Sequence, residues 1–204
     1  MHMTVSRPGT WYLFDYGMVI STAPEPGDWE ALRRETGRDL QAASSPYWTH
    51  REDFDAGRLS PGEYWGAVLG QPDPGEDRVR VLEALDAAQW SHPNTGTLKL
   101  LADLGREGAR LALLSNMPRQ MSLAYQAGAS WPQFFEHTFF SGQLGLAKPD
   151  RRVFGHVLHT LQAAPGDVVF IDDNLLNVEA ARSLGMRAVH FGPGTDLRRE
   201  LSRL

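Results

Sequence analysis

The chain contains no cysteine. Disulfides and thiolate–zinc sites are therefore excluded. Their absence fits a reducing compartment, and a cytoplasmic location is the expectation. Lysine is almost as scarce, since Lys99 and Lys148 stand against 18 arginines. No apolar run is long enough to span a bilayer, and the first residues show no signal-peptide pattern. An excess of positive charge is also missing: 20 basic against 25 acidic residues give a formal net charge of −5. That balance gives no support to nucleic acid or an anionic membrane as the main partner. An anionic substrate would have to be drawn by a local positive site. There is no heptad pattern, so both a monomer and a homodimer stay open. No internal repeat or low-complexity tract is found.

What is present reads as a soluble globular chain. Its 204 residues, 42% hydrophobic and 22% charged, suit one domain or a core with a modest insertion. The most informative stretch is Val168-Val169-Phe170-Ile171-Asp172-Asp173-Asn174. Four apolar residues, β-branched or aromatic, mark a strand buried on both faces. The strand ends in two adjacent carboxylates. Side by side, they would repel and raise each other's pKa. A divalent cation removes that cost, and strand-end carboxylates suit the hard, oxygen-binding Mg²⁺. An Asp that caps the following helix would explain one acid but not a pair.

Other strand ends carry chemistry too. Trp11-Tyr12-Leu13-Phe14 runs into Asp15, and Leu111-Ala112-Leu113-Leu114 ends in Ser115-Asn116. In Gly145-Leu146-Ala147-Lys148-Pro149-Asp150 the proline pushes Lys148 towards an extended conformation, and Asp150 is placed to cap the next helix.

Between the first two strands the pattern is helical. Pro24, Pro26 and Gly27 mark a linker. One helix starts near Asp28 and ends at Gly37, and a second covers about Pro46 to Ala56. Ser60-Pro61-Gly62-Glu63 is a capping box that opens a third. Asp73-Pro74-Gly75-Glu76 repeats the device for a fourth, with Val79, Leu82 and Leu85 on one face. Ser91-His92-Pro93-Asn94 is the return linker. Later, Leu98, Leu101 and Leu104, then Val153, Val157 and Leu161, then Val178, Ala181 and Leu184 line helices that alternate with strands. Ala188-Val189-His190-Phe191 supplies the last strand. Such alternation implies parallel pairing, which brings the strand C-termini to one edge. The expectation is an α/β fold, a Rossmann-like parallel sheet with helices on both faces. Residues 1–20 and 93–204 form the core, and residues 21–92 form an inserted small helical bundle.

These motifs resemble those of the haloacid dehalogenase-like (HAD) hydrolase superfamily, subfamily I with a helical cap, over nearly the whole chain. The match runs through Phe14-Asp15-Tyr16-Gly17-Met18-Val19, Leu114-Ser115-Asn116, the Lys148-Pro149-Asp150 loop and Phe170-Ile171-Asp172-Asp173-Asn174-Leu175-Leu176-Asn177. The last two are the specific ones. The branch most similar contains bacterial α-D-glucose-1-phosphate phosphatases, which also carry Gly two residues after the first Asp. The resemblance implies a Mg²⁺-dependent phosphomonoester hydrolase acting on a small phosphorylated metabolite, a sugar phosphate among the candidates. Asp15 would be the nucleophile, passing through an aspartyl-phosphate. Asp15, the backbone carbonyl of Gly17 and Asp172 would hold Mg²⁺, with Asp173 on the ion or one hydrogen bond behind it. Ser115 would bind a phosphoryl oxygen, Asn116 would shape that pocket, and Lys148 would neutralise charge. Asn177 would orient the metal-site loop or Lys148.

The chain departs from the commoner pattern at Gly17, where most members carry a second Asp that protonates the leaving group. Such acid–base assistance is typically worth about 10²–10⁴-fold. Without it the leaving alkoxide departs nearly unassisted unless another group serves, and His50 is the candidate. Specificity falls to the inserted helices, where Tyr47, Trp48, His50, Arg51, Tyr64 and Trp65 could face the site. Trp48, His50 and Tyr64 are the chosen substrate contacts, although aromatic residues at helical spacing usually pack a core. Two rivals remain. A 2-haloacid dehalogenase uses the same Asp without metal, but its fourth motif lacks an Asp172-like ligand. A catalytically weak phosphate-binding or regulatory protein is favoured by Gly17 alone.

Overall fold

The structure is a computed structural model that describes residue 7 and residues 9–204. Five strands form one parallel sheet in the order β3-β2-β1-β4-β5. They are β1 (Trp11–Phe14), β2 (Arg110–Ser115), β3 (His137–Phe140), β4 (Val168–Asp172) and β5 (Arg187–His190). Alternation along β1 shows how both faces are used. Tyr12 and Phe14 pack into one apolar cluster, Trp11 and Leu13 into another. The first cluster is closed by α6 (Thr95–Arg106), α7 (Arg119–Gly128) and α11 (Leu197–Arg203), through residues such as Leu101, Leu104, Met121 and Leu201. The second is closed by α9 (Arg151–Leu161) and α10 (Leu175–Ser183), through Val153, Val157, Leu161, Val178 and Ala181. The α/β class expected from the alternating pattern is what is found. Among the described residues no helix is long and apolar enough to cross a membrane.

Between β1 and α6 lie α1 (Pro26–Thr36), α2 (Pro46–Thr49), α3 (Arg51–Asp55), α4 (Pro61–Leu69) and α5 (Glu76–Gln89). They have an apolar core of their own, built on Leu32, Tyr47, Phe54, Tyr64, Trp65, Val68 and Leu82. Gly37 ends α1 in the left-handed region at φ 70°. Ser60 and Glu63 form the capping box of α4 in both directions. The segment expected as one helix from Pro46 to Ala56 breaks at His50, where φ is −108° and ψ −2°. The second capping box is absent. Asp73 Oδ1 accepts from Gly75 N, and Gly75 itself is the N-cap of α5 at φ 80°, with no side-chain cap bond. The sequence pattern also passed over β3, a four-residue edge strand whose first two residues are only half-buried.

The two segments that join these helices to the sheet run side by side. Thr22 N donates to His92 O at 2.8 Å, Asn94 N donates to Ile20 O at 2.8 Å, and Ser21 bridges to Pro93. A second junction lies at α8 (Ser141–Leu144). There Ser141 Oγ donates to the carbonyl of Asp55 and accepts from Met117 N at 3.0 Å, which joins α3 to the loop after β2. Gly142 makes this fit possible. A Cβ there would lie 2.4 Å from Arg119 N and 2.8 Å from Met117 O, both backbone atoms that cannot swing aside. Gly142→Ala should therefore lower unfolding stability by about 1–3 kcal/mol, the usual cost of overpacking. Chemical denaturation of the two proteins measures it, and an unchanged midpoint would mean that the loop yields freely.

Candidate active site

The sheet order sets the site. β1 lies between β2 and β4, and Phe14 pairs with both Leu113 and Ile171. The residues just past these strand ends therefore meet at one edge, where open parallel sheets bind ligands. Asp15, Ser115, Asn116, Lys148, Asp173 and Asn177 all line one cavity of about 280 Å³. Gly17 lines it as well.

At its floor is a buried ammonium. Lys148 Nζ lies 2.7 Å from Asp15 Oδ1 and 2.7 Å from Asp172 Oδ2, with its side chain 1% exposed. It also sits 5.5 Å from the centre of the Phe170 ring, which favours a cation. Burial alone would depress the lysine pKa, but the two carboxylates outweigh it and hold the pKa above its ordinary value. Burial pushes the Asp15 carboxyl up; Lys148 pulls it down, and Asp172 and Asp173 push it up again. The Asp173 carboxyl is raised by burial and by Asp172.

Side chains around this pair hold it in place. Asn116 spends both ends of its amide on the backbone of Lys148: Nδ2 donates to Lys148 O at 2.9 Å, and Oδ1 accepts from Lys148 N at 2.9 Å. It fixes the lysine instead of merely shaping the pocket. Asn177 Nδ2 lies 3.1 Å from each oxygen of Asp172. Asp172 Oδ1 also accepts from Asn174 N at 2.7 Å. Asn174 in turn caps α10, accepting from Leu176 N at 2.9 Å.

The acids fit a divalent ion. Asp15, Asp172 and Asp173 can each bring a carboxylate oxygen within 4.8 Å of the others. Three carboxylates against the one ammonium of Lys148 leave a formal charge of −2. A divalent cation with hard oxygen preference matches both the charge and the donors. The three acids are not equivalent. Asp172 is 0% exposed, its oxygens are already engaged, and it does not line the cavity, whereas Asp173 does.

The expected substrate contacts divide. Trp48 and Arg51 line the cavity. Tyr64 does not: it is fully buried in the helical core, stacked on Phe54 at 4.1 Å and donating to Tyr47 O at 2.8 Å. Tyr47 and Trp65 are buried there too. Side chains of that size contribute roughly 1.5–3 kcal/mol each by their burial, so they serve the core. His50 sits at the break between α2 and α3 and is not among the lining residues. The sequence reading missed Tyr16, Met18, Asp55, Trp90, Met117 and Met121, which complete much of the wall. Met18 has φ 59°, a region unusual for a residue with a side chain. Gly17, next to it, has no such φ, and a Cβ there would meet nothing within 4 Å.

A family model described as haloacid dehalogenase-like hydrolase matches residues 19–185, and the chain belongs to that family. Drimenol cyclase drtB of Aspergillus calidoustus is 46% identical over 197 residues, which are 94% of this chain but 36% of that protein. Sesquiterpene phosphatase astK of Aspergillus oryzae is 25% identical over 183 residues, 88% of each chain. The chain thus spans about a third of the first relative and most of the second. A HAD family enzyme of Bacteroides thetaiotaomicron, crystallised with magnesium and inorganic phosphate, has the same fold, with a TM-score of 0.74 at 21% identity over 94% of this chain and 98% of that one.

Removing the central ammonium should be costly. Lys148→Met leaves Asp15 and Asp172 buried without their counter-charge, and breaking a buried pair typically costs about 3–5 kcal/mol. The site can relieve this by taking up a proton, so the Asp15 carboxyl, already raised by burial, is raised further. Stability is then kept below the unfolded carboxylate pKa and lost as pH rises. Urea unfolding in chelator should show a larger deficit at pH 8 than at pH 5. A deficit independent of pH would mean that the carboxylates separate when the lysine is gone.

Proposed function

We propose that the protein is a Mg²⁺-dependent phosphomonoester hydrolase acting through an aspartyl-phosphate, and that its substrate is the phosphate ester of an apolar, terpenoid alcohol. The observation that carries this reading is the contrast within one cavity. Its floor is Asp15, Ser115, Lys148 and Asp173, and its walls are Tyr16, Met18, Trp48, Trp90, Met117 and Met121. A charged floor suits a phosphoryl group, and an aromatic and thioether wall suits a hydrocarbon. A sugar would need free polar groups on the wall. Of the residues the helical unit brings to the cavity, only Arg51 and Asp55 carry charge, and they are paired through one Asp55 oxygen at 2.7 Å. The likeness to a sesquiterpene phosphatase over 88% of both chains points the same way.

In this reading Asp15 attacks phosphorus, while Ser115 and Lys148 hold phosphoryl oxygens. Asp15, Asp173 and the carbonyl of Gly17 would hold Mg²⁺, which when bound offsets negative charge and polarises a phosphoryl oxygen. Asp172 acts from behind, as the carboxylate that orients Lys148 and is itself clamped by Asn177. This reverses the order in which the sequence ranks the two acids. Residues 21–92 serve as a cap over residues 1–20 and 93–204 and choose the leaving group.

Asp15→Asn should abolish turnover with the fold intact, because an amide keeps the shape but is a poor nucleophile. Chelator should also abolish it, and Asp173→Ala should raise the Mg²⁺ concentration needed for half-activity more than Asp172→Asn does. Farnesyl monophosphate should be turned over with a higher kcat/KM than glucose 1-phosphate. Trp48→Ala should weaken that preference and change the rate on 4-nitrophenyl phosphate far less. A preference for the sugar ester would sink the terpenoid part. Full activity in excess chelator would sink the metal-dependent mechanism.

A further inference from the structure

Gly17 leaves the site without the acid that commonly serves at that position. Of the groups on the cavity floor, Asp15 is the nucleophile, Asp173 faces the metal position, and Lys148 is held between two carboxylates. None is free to carry a proton to a leaving alkoxide. His50, the sequence candidate, is not among the lining residues.

One carboxyl on the opposite wall is suited to the task. Asp55 lines the same cavity, at the end of α3. Its Oδ1 accepts from Arg51 Nε at 2.7 Å, and the side chain is partly open to the cavity. The neighbouring acid, Asp86 on α5, is far better solvated by protein. It accepts from Arg51 at 2.9 Å, from Tyr47 at 2.6 Å and from Gln89 at 2.8 Å. So one buried guanidinium stands between two buried carboxylates. The cluster is electrically neutral only when one carboxyl keeps its proton, and Asp55, with the poorer set of donors, is the one that does. Its backbone is also tied to the catalytic half of the molecule. Ser141 Oγ donates to Asp55 O and accepts from Met117 N, two residues past Ser115. Few other positions on the helical unit have their place relative to the strand ends set so directly.

We propose that Asp55 is the general acid–base of this site. The inference rests on the phosphoester hydrolase reading above. In the first step an Asp15 oxygen bonds to phosphorus as the P–O bond to the alcohol breaks, and Asp55 Oδ2–H passes its proton to the departing oxygen. In the second, Asp55 carboxylate takes a proton from water as the water oxygen bonds to phosphorus. Asp15 carboxylate and inorganic phosphate are released, and Asp55 is again protonated. Burial raises the Asp55 carboxyl to about 7, against the pull of Arg51 and with Asp86 and Glu52 adding to the rise. Tyr47 and Tyr64 are the other titratable groups of the cluster. The acid is therefore loaded below about pH 7 and is lost as pH rises through that value.

The test compares an alkyl ester, 3-methylbutyl phosphate, with 4-nitrophenyl phosphate, whose leaving group needs no proton. Asp55→Asn should lower kcat/KM, which reports only the step that expels the alcohol and not the water attack common to both esters, by about 10²–10⁴-fold on the alkyl ester and by less than about 10-fold on the aryl ester. Adding Gly17→Asp to that variant should recover part of the alkyl turnover, since there is room for the side chain. Equal losses on both esters, or none on the alkyl ester, would overturn the proposal. A second measurement needs no variant. In the wild type, kcat/KM for the alkyl ester should fall as pH rises above about 7 while the aryl ester does not follow. The same basic limb for both esters would overturn the proposal even if Asp55→Asn failed to fold. A wild type inert towards every phosphate ester would overturn the hydrolase reading itself, which is a different result.

Discussion

The whole site depends on one buried ammonium. Lys148 Nζ stands 2.7 Å from a carboxylate at the end of β1 and 2.7 Å from one at the end of β4. Neighbouring parallel strands bring Asp15 and Asp172 together whether or not charge favours it. Without the lysine, two desolvated acids would face each other. With it, the strand ends can stay close, and the loop before Pro149 acquires a fixed anchor. Asn116 then locks that loop by its backbone, and Asn177 locks the second acid. Two asparagines thus hold a cation and an anion without adding charge of their own. The economy in lysine across the chain makes sense here. A flexible, compact ammonium fits between two carboxylates in a space where a planar guanidinium would not.

Much of this could be read in the sequence because parallel sheets place strand ends predictably. Asp15, Ser115, Asp172 and Asp173 each follow an apolar run, and the lysine precedes a proline in a short loop. Geometry that depends on occupied lone pairs was not readable. Asp172 and Asp173 look alike in sequence, yet one is buried behind four hydrogen-bond contacts and the other faces the cavity. The helical unit was harder still. Tyr47 and Trp48 are neighbours on α2, but only Trp48 reaches the cavity, because successive residues of a helix face different sides, and α2 and α3 have five residues or fewer. No periodicity can be assigned over so short a span. Asp55 carried no signal at all, being a single acid beside two other acids in a polar helix. Met18, and not its neighbour Gly17, takes the left-handed conformation, which nothing in the sequence marks.

In the proposed reading, the two halves of the molecule would divide the recognition of a phosphate ester. The sheet supplies charge and fixed donors, and its geometry is insensitive to which alcohol is attached. The helices supply bulk and a second polar cluster, in which Arg51 is paired with both Asp55 and Asp86. A drimenol cyclase shares 46% identity with this chain over about a third of its own length. A unit of this size is thus found as part of a larger protein.

The hydroxyl of Ser141 has a mechanical side. It touches Asp55 in the helices and Met117 in the loop after β2, so an outward swing of the helices breaks the first bond while the second holds. That makes it a latch with one fixed and one releasable side. Under the proposed hydrolase reading, a bulky alcohol product would need the latch to open before it could leave, whereas inorganic phosphate is small and well hydrated, so a hydroxyl outside the chemistry would set the order of release.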